Sequence, residues 1–366
     1  MYYKQYGNSG RKVSAVGMGT MRYNDEDISA GNLGKCAEVV LYAHEKGINF
    51  FDSAPFYCQD KSEEITGMAL SQLPRDSFYI SSKMNMGTIN HKGTADEFRR
   101  RLENSIKRLK VDYLDFYYLW CLLDLESFRK QYDILYPYFE QAKKDGLIKS
   151  ITFSSHMQGS DLEKVIETDS FQGMLIGYNA LNYRFRQAGI SAAHKKGMGI
   201  VVMNPLGGGL IPNNPDIFGY LAEGTKLTVP QAALRFVASH KEISVALAGC
   251  TTKQHVDDAV RAVEGLEEHS AEAIYAEYER KGVALNNLCT GCGYCNYCPQ
   301  EIDIPKFMDA YNEKILGNSI TNRLQYHWRI PVSQAAECIR CGQCEELCTQ
   351  HLPIMDRLDE IALLSK

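Results

Sequence analysis

Up to about residue 265 the chain alternates short apolar runs with stretches whose apolar residues recur at three- and four-residue intervals. The runs VSAVGMG (13–19), INFFD (48–52), FYISS (78–82), YLDFYYL (113–119), SITFSS (150–155), GMLIGY (173–178), GIVVM (199–203) and SVALAG (244–249) have the length and composition of buried strands. The helical period predicts helices over 34–46, 61–72, 95–110, 126–145, 160–167, 185–196, 229–240 and 253–263. Eight strands, each followed by a helix, predict an α/β fold, a (β/α)8 TIM barrel. A doubly wound open sheet is the alternative. Against it, the GxGxxG dinucleotide fingerprint is absent: GMGTMR (17–22) lacks the third glycine, and no helical pattern begins there.

Beyond the barrel the pattern changes. Residues 266–287 read as a polar helical linker with Ser270 as N-cap, and 288–366 as a small α-rich domain with helix-like segments near 305–316 and 353–364. The expected division is therefore a barrel over 1–265, a linker over 266–287 and a cysteine-rich domain over 288–366.

Composition adds exclusions. With 366 residues, 45% hydrophobic, 23% charged and a formal net charge of −5, the chain gives no reason to expect nucleic acid or a membrane as partner. One basic stretch, Arg99, Arg100, Arg101, Lys107, Arg108 and Lys110, falls on a predicted helix and reads as a solvated face, or as a docking patch for an acidic electron carrier such as a ferredoxin. The N-terminus has no apolar signal core, and the longest apolar run, Phe116 to Leu123, is eight residues, far short of a membrane span. A cytoplasmic location is expected. Reducing conditions there disfavour structural disulfides, so twelve cysteines need another explanation.

Eight of them form two runs. The first is Cys289-Thr-Gly-Cys292-Gly-Tyr-Cys295-Asn-Tyr-Cys298-Pro299, and the second Cys338-Ile-Arg-Cys341-Gly-Gln-Cys344-Glu-Glu-Leu-Cys348. Three cysteines at three-residue spacing wrap one face of a 4Fe–4S cube, and Gly291, Gly293 and Gly342 let backbone N–H groups approach the sulfides. In two-cluster ferredoxins the fourth cysteine of each run serves the other cluster. Cys289, Cys292, Cys295 and Cys348 are thus assigned to one cube, and Cys338, Cys341, Cys344 and Cys298 to the other. Structural zinc is the alternative, but it usually takes two separated CxxC pairs per ion. Two departures bear on loop geometry: two residues, not three, precede Cys298, and Thr349 stands where a proline is usual. Cys36, Cys58, Cys121 and Cys250 read as small buried residues rather than ligands.

The barrel resembles the aldo-keto reductase family. The likeness runs through VSAVGMGTM (13–21), INFFDSAPFYCQDKSEEITGMAL (48–70), SSKM (81–84), LENSIKRLKVDYLDFYYL (102–119), GLIKSITFSSH (146–156), GYN (177–179) and NPLGGG (204–209), and the cysteine tail matches a branch with a C-terminal ferredoxin-like module. The resemblance implies an oxidoreductase acting on a small-molecule carbonyl substrate. Three members of the family's catalytic tetrad map onto Asp52, Tyr57 and Lys83, all at strand ends or rim loops, where barrel active sites are built. A lysine cation near a tyrosine is expected to lower the phenol's pKa and to stabilise an oxyanion, with a carboxylate fixing the lysine and balancing its charge. The resemblance also implies cofactor contacts for Gly19, Thr20, Ser154, Ser155, Asn179, Pro205, Leu206, Gly249 and Lys253, and hence NADP(H).

Several positions depart from the family. Trp120 stands where the tetrad's histidine is expected; an indole donates one hydrogen bond, accepts none and does not titrate. His156, at the end of the fifth strand, reads as a rim histidine of no catalytic consequence, with compensation for the missing histidine as the alternative. The glutamine that binds the carboxamide is Leu175, the stacking aromatic is Met203, and the phosphate-binding segment after the last strand carries Thr251 and Ala259 in place of a basic residue and an asparagine. Three readings remain open. One is a reductase using NAD(P)H, with the clusters exchanging electrons with a second carrier; a hydride carries two electrons and a cube passes one, so a flavin would normally mediate, and no flavin motif is visible. Another is a ferredoxin-fed one-electron reductase, radical or flavin-mediated, that dispenses with nicotinamide. The third is a non-catalytic electron-transfer or redox-sensing protein.

Overall fold

Eight strands close into a parallel barrel, each bonded to the next in chain order and the last to the first. The computed structural model describes residues 1–84, 95–157, 159–280 and 287–364. The strands are β1 (Val16–Gly19), β2 (Phe50–Asp52), β3 (Tyr79–Met84), β4 (Leu114–Leu122), β5 (Ile148–Ser155), β6 (Gly173–Gly177), β7 (Gly199–Met203) and β8 (Val245–Gly249). The helices that follow them are α1 (Leu33–Glu45), α2 (Ser62–Leu70), α3 (Ala95–Leu109), α4 (Leu125–Lys144), α5 (Gly159–Ile166), α6 (Tyr183–Lys195), α7 (Val229–Ala238) and α8 (Lys253–Ala262). Every expected strand and helix of the barrel is present, and the open sheet is excluded.

One apolar run divides. Lys12–Ser14 pairs antiparallel with Tyr3–Gln5 in an N-terminal hairpin, and only Val16–Gly19 enters the barrel. Tyr6, which follows the first hairpin strand, is fully buried and lies 4.2 Å, centroid to centroid, from Phe116, itself 5.3 Å from Phe50. The Tyr6 ring explains why β6 and β7 begin with glycine: a Cβ at Gly173 or Gly199 would stand 2.2 Å from the tyrosine's Oη or Cε1. The N-terminal end of the barrel is thereby sealed. The strands' outer faces are equally apolar. Tyr117 packs on Phe98 of α3 and Phe139 of α4, and Phe153 on Phe171. Burial on both faces is why these strands read as continuous apolar runs.

The chain divides into two compact units, Met1–Leu206 with Leu221–Lys281, and Gly207–Tyr220 with Gly282–Lys366. Within the expected linker, α9 spans Ala271–Arg280, and 281–286 lie outside the described residues. In the second unit, α10 (Ile304–Ile315) and α11 (Ile354–Leu363) each follow a cysteine run and pack their apolar faces together with Ile302, Leu324, Val332 and Leu352. The two halves form an internal repeat. A step of 49 residues carries Cys289, Cys292 and Cys295 onto Cys338, Cys341 and Cys344; after one extra residue, a step of 50 carries Cys298 onto Cys348 and Ile304 onto Ile354. The backbone repeats too. Gly293 and Gly342 have φ of 80° and 81°, and Asp303 and Pro353, which precede the two helices, share φ −75° and ψ 74°. No helix among the described residues is long and apolar enough to cross a membrane.

Candidate active site and cluster ligands

Side chains two apart on a strand share a face. On β2 this puts Phe50 and Asp52 on the inward side, with the phenylalanine in the core and the aspartate nearer the C-terminal rim. On β3 and β4 it does the same for Lys83 and for Tyr118 and Trp120, and the pairing sets Asp52 beside Ser81 and Lys83 beside Tyr118. The Lys83 side chain is fully buried. Its Nζ donates to Asp52 Oδ2 at 2.7 Å and to the Ser53 carbonyl at 2.7 Å, while Ser81 Oγ donates to Asp52 Oδ1 at 2.7 Å. The ammonium also lies 5.0 Å from the Tyr57 ring centroid and 5.8 Å from that of Tyr118. Tyr57 meets Trp120 edge to face at 5.8 Å. Asp52, Tyr57, Lys83 and Trp120 therefore form one cluster, with the indole in the fourth corner. Ser53, Ser81 and Tyr118 complete it. Sequence reasoning passed them over, although Ser81 and Tyr118 share the inward parity of Lys83 and Trp120.

The electrostatics depart from expectation in one respect. Burial, then repulsion from Asp52, holds the Tyr57 phenol well above its ordinary range rather than below it, because Asp52 already neutralises Lys83. Burial pulls the Lys83 ammonium down, and Asp52 opposes that shift. At neutral pH Tyr57 is a proton donor, and its hydroxyl makes no hydrogen bond to any described residue. The loop that carries it is held in an uncommon conformation: Phe56, Cys58, Gln59 and Asp60 have φ of 70°, 52°, 56° and 62°. Phe56 N–H donates to Asp60 Oδ1 at 3.1 Å, Arg108 pairs with Asp60, and Cys58 Sγ donates to the Met21 carbonyl at 3.1 Å. Cys36 and Cys250 are buried as expected, whereas Cys58 and Cys121 are half-exposed beside this site.

The expected cofactor contacts fall into two groups. Gly249 is exposed at the end of β8, and Lys253 opens α8 behind the N-cap Thr252, with Glu38 4.0 Å away. Exposed glycine backbone, a helix N-terminus and a lysine suit the phosphate end of a dinucleotide. At the other end Ser154 keeps a buried Oγ without a partner among the described residues. However, Asn179 spends its amide on the Asn204 carbonyl and on Leu181 N–H, Ser155 donates to the Leu122 carbonyl, and Thr20 donates to the Asp52 carbonyl. Leu175 lies in the apolar barrel core with Tyr6 and Phe50. Gly19 is half-exposed, Pro205 is buried and Leu206 half-buried. The residues present fit a phosphate end and do not fit a nicotinamide carboxamide. His156 is buried against Gly177, where a Cβ would meet its ring at 3.1 Å. The basic run on α3 is largely neutralised: Arg99 pairs with Glu103 and Asp145, Arg100 and Arg101 with Glu97, and Arg108 with Asp60. That favours a solvated face over a docking patch.

In the second unit the eight cysteines fall into two sets, each completed from the other run. Burial and repulsion from Cys289, Cys292 and Cys348 push the Cys295 thiol up to about 12, and Thr349 Oγ1 lies 3.3 Å from Cys292 Sγ. Cys298 lines one cavity with Cys338, Cys341 and Cys344. Backbone N–H groups of Gly291, Arg340 and Leu352 donate to the sulfurs of Cys289, Cys338 and Cys348 at 3.4 Å. Among the described residues no group of three or more His, Cys, Asp or Glu is placed to hold a single ion; a cube takes its thiolates further apart. Thiols gathered in fours, with amides turned to their sulfurs, are a donor set that fits 4Fe–4S cubes.

The barrel and its rim pair define a TIM-barrel oxidoreductase scaffold joined to an iron–sulfur module. The aldo/keto reductase family model matches residues 15–276, and a 4Fe-4S dicluster domain model matches 288–353. The chain belongs to the aldo/keto reductase family. L-galactose dehydrogenase of Arabidopsis thaliana is 26% identical over 295 residues, 71% of this chain and 88% of that protein. An aldo-keto reductase from Bacillus halodurans in its holo form shares the fold with a TM-score of 0.64 at 22% identity, covering 78% of this chain and 97% of that one. An aldo/keto reductase from Klebsiella pneumoniae, solved with NADP and acetate, does so with a TM-score of 0.61 at 20% identity, covering 77% and 95%.

Proposed function

We propose that the protein reduces a carbonyl or conjugated carbonyl group held at the barrel mouth. Tyr57 gives a proton to the developing oxyanion, Lys83 stabilises its charge, and two 4Fe–4S clusters relay electrons. The observation that carries this reading is the buried Lys83–Asp52 pair at 2.7 Å beside a phenol kept protonated. A dry, fixed cation needs no reorganisation as negative charge appears on the substrate oxygen. Asp52 and the Ser53 carbonyl hold that cation in place, and Trp120 closes the side of the pocket that Tyr57 faces. NADP(H) would be the source of the two electrons, which the clusters pass singly, and no hydride contact is assigned, because the residues at the carboxamide end do not fit it. The phosphate-end residues Gly249 and Lys253 support its binding.

A second reading, a one-electron reductase fed by a ferredoxin-type carrier without nicotinamide and with or without a flavin, is favoured by Leu175 in the core and by the committed amide of Asn179. Anaerobic absorption spectra separate the two. Bleaching of the clusters by NADPH supports the first, and bleaching by reduced ferredoxin alone supports the second. Either way Tyr57→Phe removes the hydroxyl placed to move a proton. Turnover on aldehydes or conjugated ketones is expected to fall about 100- to 10,000-fold, as for other general acids, with both clusters retained. Undiminished turnover in that variant would show that the barrel site is structural.

A further inference from the structure

Among the described residues Arg357 is a buried cation with no carboxylate paired to it. It lies on α11, is 4% exposed, and occupies the position that Phe307, 0% exposed, holds in the other half of the repeat. Its Nη2 donates to the Asn287 carbonyl at 2.7 Å, two residues before Cys289, and its guanidinium stands 4.6 Å from the Tyr311 ring centroid. Its Nη1 is buried and has no hydrogen-bond partner among the described residues. The acids of its own helix are engaged elsewhere: Asp356 and Asp359 with Arg340, Glu360 with Lys314 and the Tyr311 hydroxyl. A charge held out of water is costly unless something of opposite sign answers it. The core of this unit holds Cys295 and Cys348, with Cys289 against it, three of the four cysteines assigned to the first cube, and the guanidinium interacts electrostatically with Cys289 and Cys348. A thiolate-ligated cube is an anion, and on reduction it gains one more negative charge.

We propose that Arg357 is the internal counter-ion of the cube held by Cys289, Cys292, Cys295 and Cys348, and that it raises the reduction potential of that cube selectively. Charge near a cluster is one of the terms that set its potential. Arg357 stabilises the reduced cube more than the oxidised one, whereas the apolar Phe307 contributes no such term in the other half. The cation within the second run, Arg340, is exposed and spent on two aspartates. Arg357 acts on the electron through the cluster, so it is a tuning residue rather than a catalytic one.

The inference rests on the two-cluster reading of the cysteines, and the test keeps the two apart. The full-length protein is purified anaerobically, its iron and sulfide are counted, and its clusters are titrated by EPR-monitored potentiometry, with Cys341→Ser used to mark the second cube's signal. Fewer than two cubes in the native protein would fail the reading of the cysteines, whatever Arg357 does. With two cubes present, Arg357→Met is expected to lower the reduced-to-oxidised ratio of the first cube about tenfold at a fixed potential, which is ~59 mV for one electron. The second cube should stay put and Arg357→Lys should retain most of the native value. Unchanged potentials in Arg357→Met, an equal fall in both cubes, or a fall in Arg357→Lys as large as in Arg357→Met would overturn it. If Arg357→Met fails to assemble, Glu360→Gln on the exposed face removes an opposing charge and is expected to raise the first cube's potential by a smaller factor. No rise there, or a fall, overturns the proposal equally.

Discussion

Lys83 and Arg357 are both buried cations, and they differ in what answers their charge. Lys83 has Asp52 at 2.7 Å and a carbonyl at the same distance, and Ser81 Oγ donates to the other oxygen of that carboxylate. Its site is electrically complete within the polypeptide. Among the described residues Arg357 has one carbonyl and no carboxylate. The contrast extends to the units around them. The barrel closes every strand on a neighbour and fills both faces with aromatic and aliphatic side chains. The second unit has short helices, a small core and eight sulfurs. One unit is finished by its own side chains, and the other is completed by what it binds.

If so, removing iron should divide the molecule. Chelation of the iron of both cubes is expected to unfold the second unit, because ligand binding and local folding are coupled in small metallo-domains. The barrel should persist. The two tryptophans report separately: with Trp328→Phe the fluorescence follows Trp120 in the barrel, and with Trp120→Phe it follows Trp328. Simultaneous loss of both signals on chelation would break the comparison.

The next effect is smaller and runs the other way. Lys83→Met leaves Asp52 buried without its cation, and truncating one member of a buried pair typically costs about 3–5 kcal/mol. Denaturant unfolding followed through Trp120 should move to lower midpoint by that amount, with the iron content unchanged. A loss of iron in this variant would mean that the two units do not stand independently.

The smallest effect is a pH dependence confined to the barrel. His240 donates from Nδ1 to the Phe236 carbonyl at 2.8 Å and accepts at Nε2 from the Tyr178 hydroxyl at 2.7 Å, and burial drives its pKa down to about 3. The unfolded chain protonates this histidine near 6.5, the folded one only near 3. Between those values the unfolded state binds more protons, so stability falls as pH falls, at about 1.4 kcal/mol per pH unit at most. Barrel stability measured from pH 7 to pH 4 should show this slope, and His240→Gln should flatten it. An equal slope in the variant would assign it to other groups.

What could be read from the chain follows the same division. The barrel strands were legible because burial on both faces writes a continuous apolar run. Asp52 and Lys83 were legible because the strand period and the family likeness agree on the rim. The hairpin was not, since three-residue strands carry too little periodicity, and its second strand merged with β1 into one run. The direction of the Tyr57 shift was misjudged, because a lysine and its carboxylate read from the sequence do not reveal the burial that raises the phenol's pKa. Arg357 was invisible for a different reason. In IMDRLDEI it sits among acids on a short amphipathic stretch and reads as a solvated arginine. Only the repeat in three dimensions shows that it fills the place of a phenylalanine.

The tyrosine that seals the barrel has a kinetic consequence. With Tyr6 pressed against Gly173 and Gly199, the floor of the barrel offers no exit. Whatever reaches Lys83 must arrive and depart by the same doorway. Incoming substrate and outgoing product therefore queue for one passage, and a molecule that lingers at the rim blocks traffic in both directions.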